Sequence, residues 1–561
     1  MDPKHISEKK SKKLTAANAG IILTGMVWLL LLIYMGLFVY LNMVKYTQHV
    51  DSDIAAEALL SREIWVEKDL APDSWISSTE RRIVAVPALS SLFYGMSGSM
   101  VFSMGISCVI VGGLLLASIA FTLKRCGVSR LGTATALLAL CALPINGLRN
   151  DGQMVPFVML LWFLFAGYYA MHCICLFLCI AFYLYLRNTN FGSGSEFSLR
   201  TDSEKKASAA HRQKLFATGM AWFVLTAFCG GLSLSGMRCL QVVALPLLVW
   251  EILLLFFESS CMAKPLPRKR WVAAGFILSL LAAGILAMFY PSHKDYSLYI
   301  ETADLMVDRL THHVPAAVLE CLGIAGNCSL TSFAAMMQLG ILAVVAMTLY
   351  GLSFMKKFSF AQRALIQALG ASFLLTVFIE TVTSAETASN YFFVIWFVII
   401  AVFAALITHF EKAAPHFAKL IVGAVCIFAL CNLLYTYRDC VTAEDNLREY
   451  EEVITYMDSR GIDHGYAEFW DASRICLMTD GRITMGHCYR MEDLCMYWWL
   501  TSTKWYVPSL PEQMSTAYVV EVKDKEKFEA QFEDSSIVTC EFENDRFAVY
   551  TSDFNLVPML Q

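Results

Sequence analysis

The sequence predicts an all-α polytopic membrane protein of about eleven transmembrane helices, followed by a small α/β domain outside the membrane. Three observations predict it. The 561 residues are 57% hydrophobic and only 16% charged, a balance too apolar for one soluble core. Apolar runs near the roughly 20 residues that a spanning helix requires recur along the chain and stop after Tyr437. Charge divides at the same place: residues 438–561 hold 24 Asp/Glu against 11 Lys/Arg, net −13, whereas 1–437 hold 24 against 32, net +8. The expected domains are therefore a membrane body, 1–437, and an acidic extracytoplasmic tail, 438–561.

The apolar windows are 18–44, 99–123, 131–148, 160–186, 215–235, 239–257, 271–290, 331–353, 364–384, 390–410 and 417–436. The first is too long for a secretory signal and lacks a small-residue cleavage site, so it reads as a retained anchor. Lys4, Lys9, Lys10, Lys12 and Lys13 precede it, and further cations cluster at Lys124 to Arg130, Arg187 to Lys214, Lys264 to Arg270 and Lys356 to Arg363. The positive-inside rule places those connections in the cytoplasm. The alternate set, 46–98, 149–159, 236–238, 291–330 and 385–389, is acidic or nearly neutral and falls outside. An odd span count puts the tail outside too, in a multi-pass protein of the plasma membrane.

The first outer loop carries the densest acid. Residues 49–82, HVDSDIAAEALLSREIWVEKDLAPDSWISSTERR, contain eight carboxylates. Ile54 to Leu70 reads as an amphipathic helix, Ile54, Ala58 and Trp65 on one side and Glu57, Glu63 and Glu67 largely on another, expected to lie along the leaflet. Glu63, Glu67, Asp69 and Asp73 then form its wet face and exit. Ser77 to Glu80 is a capping-box pattern that would open a second short helix toward Pro87. Further on, Pro156 divides 149–186 into a short surface helix and a span from about Gly167 to Leu186, with Trp162, Tyr168 and Tyr169 suited to the interface. Residues 188–214 read as a flexible connection. The tail opens with a helix, Glu444 to Ser459, ended by Gly461, and continues with strand-like runs HGYAEFW, AYVVEV, SIVTCEF and RFAVYT.

Many of the eighteen cysteines, Cys108, Cys141, Cys173, Cys175, Cys179, Cys229, Cys426 and Cys431 among them, sit in apolar runs where a thiol behaves as a small hydrophobe. Cys321 could pair with Cys328, and some of Cys440, Cys476, Cys488, Cys495 and Cys540 with one another; spacing does not assign them.

Chemistry-bearing residues are few. Asp51, Asp53 and Glu57 stand at the head of the loop helix, where Asp51 or Asp53 can serve as a cap or as a carboxylate held at the membrane surface to accept a proton. Glu80 is a further site acid or part of the capping box. Arg238 is a lone cation at the end of a span, suited to phosphate by its fork of donors, or else snorkelling to headgroups. His293 and Lys294 are weaker phosphate candidates. Glu380 lies in an apolar run, where an acid is costly and so a functional candidate, with Glu386 beyond it. Asp51-Ser52-Asp53 is formally a DxD pattern; two carboxylates leave a divalent cation open. There is no phosphate-binding Gly-rich loop, HExxH or GxSxG, and nothing points to nucleic acid.

The order of these parts, a cytoplasmic N-terminus, DSDIAAE and WISSTER in a first outer loop, GGLSLSGMR (230–238) at an outer turn, and GYAEFWDASRI and WWLTSTKWY in the tail, resembles the glycosyltransferase C superfamily, in its protein O-mannosyltransferase-like (family 39-like) bacterial branch. The resemblance spans essentially the whole chain on short motifs. It implies a hexosyl- or pentosyltransferase using a polyprenyl-phosphate-linked sugar, a glycan or protein acceptor, and an acid of the first outer loop as base: Asp53 first and Asp51 second, with Glu57, Glu80 and Glu380 supporting and Arg238, Lys294 and His293 on the donor phosphate. The alternatives from other classes are a transporter or lipid flippase and a non-catalytic cell-envelope assembly protein.

Overall fold

The computed structural model describes residues 3–78, 80–142, 161–189, 202–259, 268–289, 299–324, 329, 331–384, 387–434, 438, 441, 447–506, 514–532 and 537–557. His293, Lys294, Glu386, Cys328 and Cys440 lie outside them. Among the described residues nine helices are long and apolar enough to span a bilayer: Ile21–Val44, Met100–Arg125, Ala170–Asn188, Arg212–Ser233, Lys269–Met288, Ala335–Ser353, Phe360–Val382, Ser389–Ala413 and Pro415–Asn432. Two shorter apolar helices, Arg130–Cys141 and Leu240–Leu255, fall on the remaining windows. The chain is a multi-pass membrane protein.

The chain divides into two compact units. The first comprises Met1–Gly36, Gly113–Leu161 and Tyr169–Arg438. Its central spans are enclosed: 83% of the apolar window in Ala170–Asn188 and 78% of that in Ser389–Ala413 are buried, against 22% in Arg212–Ser233. Exposed Phe216, Phe223, Leu286 and Leu420 are what a lipid-facing surface requires, since lipid supplies no hydrophobic penalty for exposure. Small residues allow close helix contact: a Cβ on Gly132 would come within 2.8 Å of the Ala404 carbonyl oxygen. Glu251, in the middle of an apolar run, is buried and holds Arg187 at 2.8 Å, Arg270 at 3.3 Å and the Tyr183 hydroxyl. A buried acid survives there because two cations and a donor neutralise it.

The second unit comprises Leu37–Gly112, Trp162–Tyr168 and Asp439–Gln561. A two-stranded pair joins β1 (Trp75–Ile76) to β5 (Thr501–Ser502). The main sheet runs β4-β3-β2-β6-β8-β7, with β2 (His464–Glu468), β3 (Thr484–Arg490), β4 (Cys495–Met496), β6 (Thr516–Glu521), β7 (Thr539–Glu543) and β8 (Phe547–Ser552). β2 is parallel to both β3 and β6, and the outer pairings are antiparallel. The parallel centre is buried, as sheets covered on both faces are. Each strand-like run of the sequence forms part of a strand; β3 and the helix Phe469–Met478 between β2 and β3 are additions. The leading tail helix is Arg448–Arg460, closed by Gly461 at φ +67, the left-handed position glycine favours.

Several local expectations are corrected here. The loop helix, Ser52–Glu67, does not lie on a leaflet: Ser52, Ile54 to Ser61, Glu63 and Ile64 are all buried, because it packs between the helix Val86–Ser97 and the tail helix Phe469–Met478. Glu63 is 2% exposed and pairs with Arg62 at 2.6 Å and Lys504 at 3.6 Å, while Glu67 pairs with Lys504 at 2.7 Å. These two are docking contacts for the tail, not a wet face. Ser77 to Glu80 opens no helix: β1 holds the preceding residues extended, and the second loop helix starts at Val86 with Pro87 in its first turn. A Cβ on Gly95 of that helix would strike the Trp65 ring at 2.4 Å, so the two loop helices meet over a glycine. Trp162 and Tyr169 are buried at 0% and 4% exposure and so are not interface aromatics. Cys321, Cys476, Cys488, Cys495 and Cys540 are free thiols.

Candidate functional site

The predicted acids of the first loop converge at the start of the loop helix. Asp51 is its N-cap, accepting the Ile54 backbone N–H at 2.9 Å, the ordinary way an Asp satisfies an orphan helix donor. Asp53 lies in the first turn, where the helix dipole favours the anion. The Ser52 hydroxyl between them donates to the Trp470 carbonyl oxygen at 2.5 Å, and Arg474 donates to the Val50 carbonyl oxygen at 2.5 Å. The tail therefore holds the backbone on both sides of Asp51. Arg474 itself lies over Tyr450, whose hydroxyl donates to Asp471 at 2.5 Å, and Asp471 pairs with Arg546 at 2.8 Å.

One turn along, Glu57 is 4% exposed and meets Arg82 at 3.0 Å. Burial raises the Glu57 carboxyl above its ordinary range, and Arg82 opposes the rise. Arg82 also lies 4.0 Å from Glu80, donates to the Tyr168 carbonyl oxygen at 3.3 Å and stands 5.1 Å from the Tyr168 ring centre. Burial pushes the Tyr168 phenol up, and the charges of Asp51, Asp53 and Glu57 add to it. Asp53 acts in the same direction on Tyr497 of the tail, after burial. The corner is thus Asp51, Asp53, Glu57, Glu80, Arg82, Tyr168 and Tyr497. Glu57 and Glu80 serve Arg82 in it; Arg82 and Tyr497 were not singled out from the sequence, and Tyr168 only as an interface aromatic. The doublet Arg81-Arg82 directly after Glu80 was the available signal.

The first unit holds a second cluster. Arg238 begins the helical segment after the turn at Gly236, and its guanidinium stands 4.0 Å from the Tyr391 ring centre and 4.9 Å from that of Tyr169. The guanidinium is half-buried and seated on two rings by cation–π contact. Glu380 is 3% exposed, its Oε2 has no hydrogen-bond partner among the described residues, and the charges of Arg238 and Arg309 act on it. Arg309 donates to the backbone oxygens of Glu380, at 3.3 Å, and Thr383, and pairs with Glu301 at 3.2 Å. An antiparallel bridge between Ile300 and Thr383 seats this loop on the end of the Phe360–Val382 span. A π-helical turn follows Arg238 at Leu240–Ala244, and Arg309 opens another at Arg309–His313; such turns recur at functional sites. Arg309, Glu301, Tyr169 and Tyr391 were not picked out as site residues from the sequence, because nothing local marks a ring as the seat of a distant cation.

The acids of these clusters do not gather into a three-ligand set for a metal among the described residues, and Asp51 already spends an oxygen on its cap.

No protein-family model and no curated protein matches the sequence. Among solved structures the chain is similar to ArnT from Cupriavidus metallidurans bound to undecaprenyl phosphate, at 11% identity and a TM-score of 0.51, covering 94% of this chain and 98% of that one. The same protein in its apo state matches over the same shares at 10% identity and a TM-score of 0.42. The chain accordingly shares the fold of that solved structure along nearly the whole of both chains.

Proposed function

We propose that this protein is a membrane glycosyltransferase that moves a sugar from a polyprenyl-phosphate carrier to an acceptor on the outer face of the membrane. The observation that carries the reading is the fold likeness, along nearly the full length of both chains, to a structure holding undecaprenyl phosphate. Each cluster, taken by itself, offers a group of a kind that reaction needs. A carboxylate must take the proton from the attacking hydroxyl, and fixed cations must meet charge as it develops on the departing phosphate.

Asp53 is the base. It is an acid of the helix's first turn that is not the cap residue, and the anion is favoured there. Asp51 is a positioning residue, setting the start of the helix through Ile54. Arg238 receives the carrier phosphate. Its place against Tyr169 and Tyr391 seats the guanidinium, whose planar fork of donors suits phosphate oxygens. Glu380 holds that cation in waiting, and a phosphate arriving at Arg238 takes over part of its charge balance. In the step itself the acceptor oxygen bonds to the anomeric carbon as the carbon–phosphate oxygen bond breaks. Asp53 takes the hydroxyl proton, and a single displacement inverts the anomeric centre.

The test is purified protein in lipid nanodiscs with a radiolabelled sugar on a C55 polyprenyl phosphate and a panel of glycan, lipid and peptide acceptors. Label appearing on an acceptor supports the reading. In proteoliposomes, movement of the carrier between leaflets without any transfer would replace it with a flippase.

A further inference from the structure

A set of buried thiols lies outside both clusters. Among the described residues, the one group of three or more His, Cys, Asp or Glu side chains whose ligand atoms converge is Cys175, Cys229 and Cys239, all within 4.8 Å of one another. Cys229 and Cys239 are 3.6 Å apart, and Cys179 is 3.8 Å from Cys175. All four are completely buried. They come from three places in the first unit: Cys175 and Cys179 one turn apart on Ala170–Asn188, Cys229 on the last turn of Asp202–Ser233, and Cys239 beside Arg238. Thiolates on a tetrahedral ion with bonds of about 2.3 Å stand about 3.8 Å apart, so the two short separations already match the spacing of a soft-metal site. Packing alone gives no reason for four thiols to meet when the surrounding spans are rich in Leu, Val and Phe. We propose that Cys175, Cys229 and Cys239 bind a soft d10 cation, zinc(II) or copper(I), with Cys179 adjoining the set through Cys175.

The ligand set suits such an ion and few others. Sulfur selects soft cations, and a site without carboxylate or carbonyl donors excludes magnesium and calcium. The apolar surroundings demand a site close to neutral. Each sulfur coordinates as the thiolate, so three ligands leave zinc(II) with one net negative charge and two leave copper(I) with the same. Binding therefore releases one proton per coordinating sulfur and needs no oxidant.

The placement gives the ion a structural task. Cys229 and Cys239 are the residues immediately before and after 230–238, the turn that ends in Arg238. An ion between them closes that turn at its base and ties it to the helix Ala170–Asn188.

Reduced, detergent-purified protein is stripped of metal and titrated separately with zinc(II) and with copper(I) against competing chelators. Cadmium(II) serves as the optical probe through thiolate-to-metal absorption. The expected result is one ion per chain, a stoichiometric absorption band, and a rise in Tm on loading. In Cys175→Ser and in Cys239→Ser the affinity falls at least tenfold. Cys108→Ser removes a buried thiol elsewhere and leaves binding unchanged. The Tm of each metal-free variant identifies any that has failed to fold, and Cys179→Ser, beside Cys175 and outside the three ligands, gives a milder loss in a folded chain. Absence of stoichiometric binding by the folded reduced protein, or binding unaffected by both Cys175→Ser and Cys239→Ser, overturns the proposal. So does a Cys229–Cys239 disulfide in freshly isolated protein.

Discussion

Glu57 and Glu380 are both buried glutamates facing arginine, and they are built to opposite ends. Glu57 meets Arg82 at 3.0 Å, and Arg82 is further committed to Glu80 and to the Tyr168 carbonyl oxygen. Glu380 keeps one oxygen without a hydrogen bond among the described residues while two arginines act on its charge, one of them seated on aromatic rings. A buried acid that meets its cation directly holds a fold in place. A buried carboxylate with one oxygen short of a donor is costly to keep and is a functional candidate by default. Under the proposed reading the first is scaffold and the second belongs to the site.

That division is open to breaking. Arg82→Ala leaves Glu57 buried without its cation and is expected to cost about 3–5 kcal/mol of stability near neutral pH, read as a fall in Tm. Burial raises the Glu57 carboxyl, so its share of stability is present below the unfolded value, about 4.3, and is lost as pH rises through the folded one. The damage from Arg82→Ala should therefore shrink toward acid pH, where Glu57 takes up a proton. Damage independent of pH would mean that Arg82 matters for packing alone.

Arg238→Ala is expected to weaken binding of the polyprenyl phosphate by about 10- to 100-fold, the loss of one charged hydrogen-bonded contact, with Tm nearly unchanged. Arg238→Lys should recover only part of this, since a lysine keeps the charge but not the planar fork. Carrier binding measured by a fluorescent polyprenyl phosphate analogue checks both, and unchanged affinity would make Arg238 a structural cation like Arg82.

A smaller effect concerns the tail that holds the acid corner. His487 is fully buried between the Ser473 hydroxyl, at 3.2 Å, and the Trp499 carbonyl oxygen, at 3.3 Å, and burial lowers it from 6.5 to about 4. His464 is likewise held down to about 4 by burial. For a lowered histidine the folded form binds fewer protons than the unfolded one, so its stability is present above pH 6.5 and is lost as pH falls toward 4. The wild-type protein should lose Tm across that window, and His487→Asn should flatten part of the slope at a lower starting Tm. Differential scanning fluorimetry in nanodiscs measures both.

The sequence made the spans legible because hydropathy acts over a window shorter than one helix, and it made the tail strands legible because short runs of aromatic and β-branched residues are a local signal. It also marked Asp51, Asp53, Arg238 and Glu380, since a charge inside or beside an apolar run stands out. Burial of the loop helix was not legible. Its cover comes from the tail: Lys504 reaches Glu67 across 437 residues, and Arg474 reaches the Val50 carbonyl oxygen across 424. A helix that will be covered from so far along the chain shows the same mixed pattern as one lying in water, so Glu63 read as exposed. Arg238 had the same difficulty, since the rings that seat it, Tyr169 and Tyr391, are far from it along the chain.

Asp51 and Asp53 stand two positions apart, and the proposed chemistry depends most on telling their roles apart. Sugar transfer from the polyprenyl phosphate donor, measured side by side for wild type, Asp53→Asn and Asp51→Asn, tests it most directly. Loss of a general base predicts a fall in turnover of about 10²- to 10⁴-fold for Asp53→Asn with donor binding intact. Asp51→Asn, which keeps a capping side chain, should change turnover by less than about tenfold and Tm only slightly. Full turnover in Asp53→Asn, or a larger loss in Asp51→Asn than in Asp53→Asn, would contradict the assignment of Asp53 as the base.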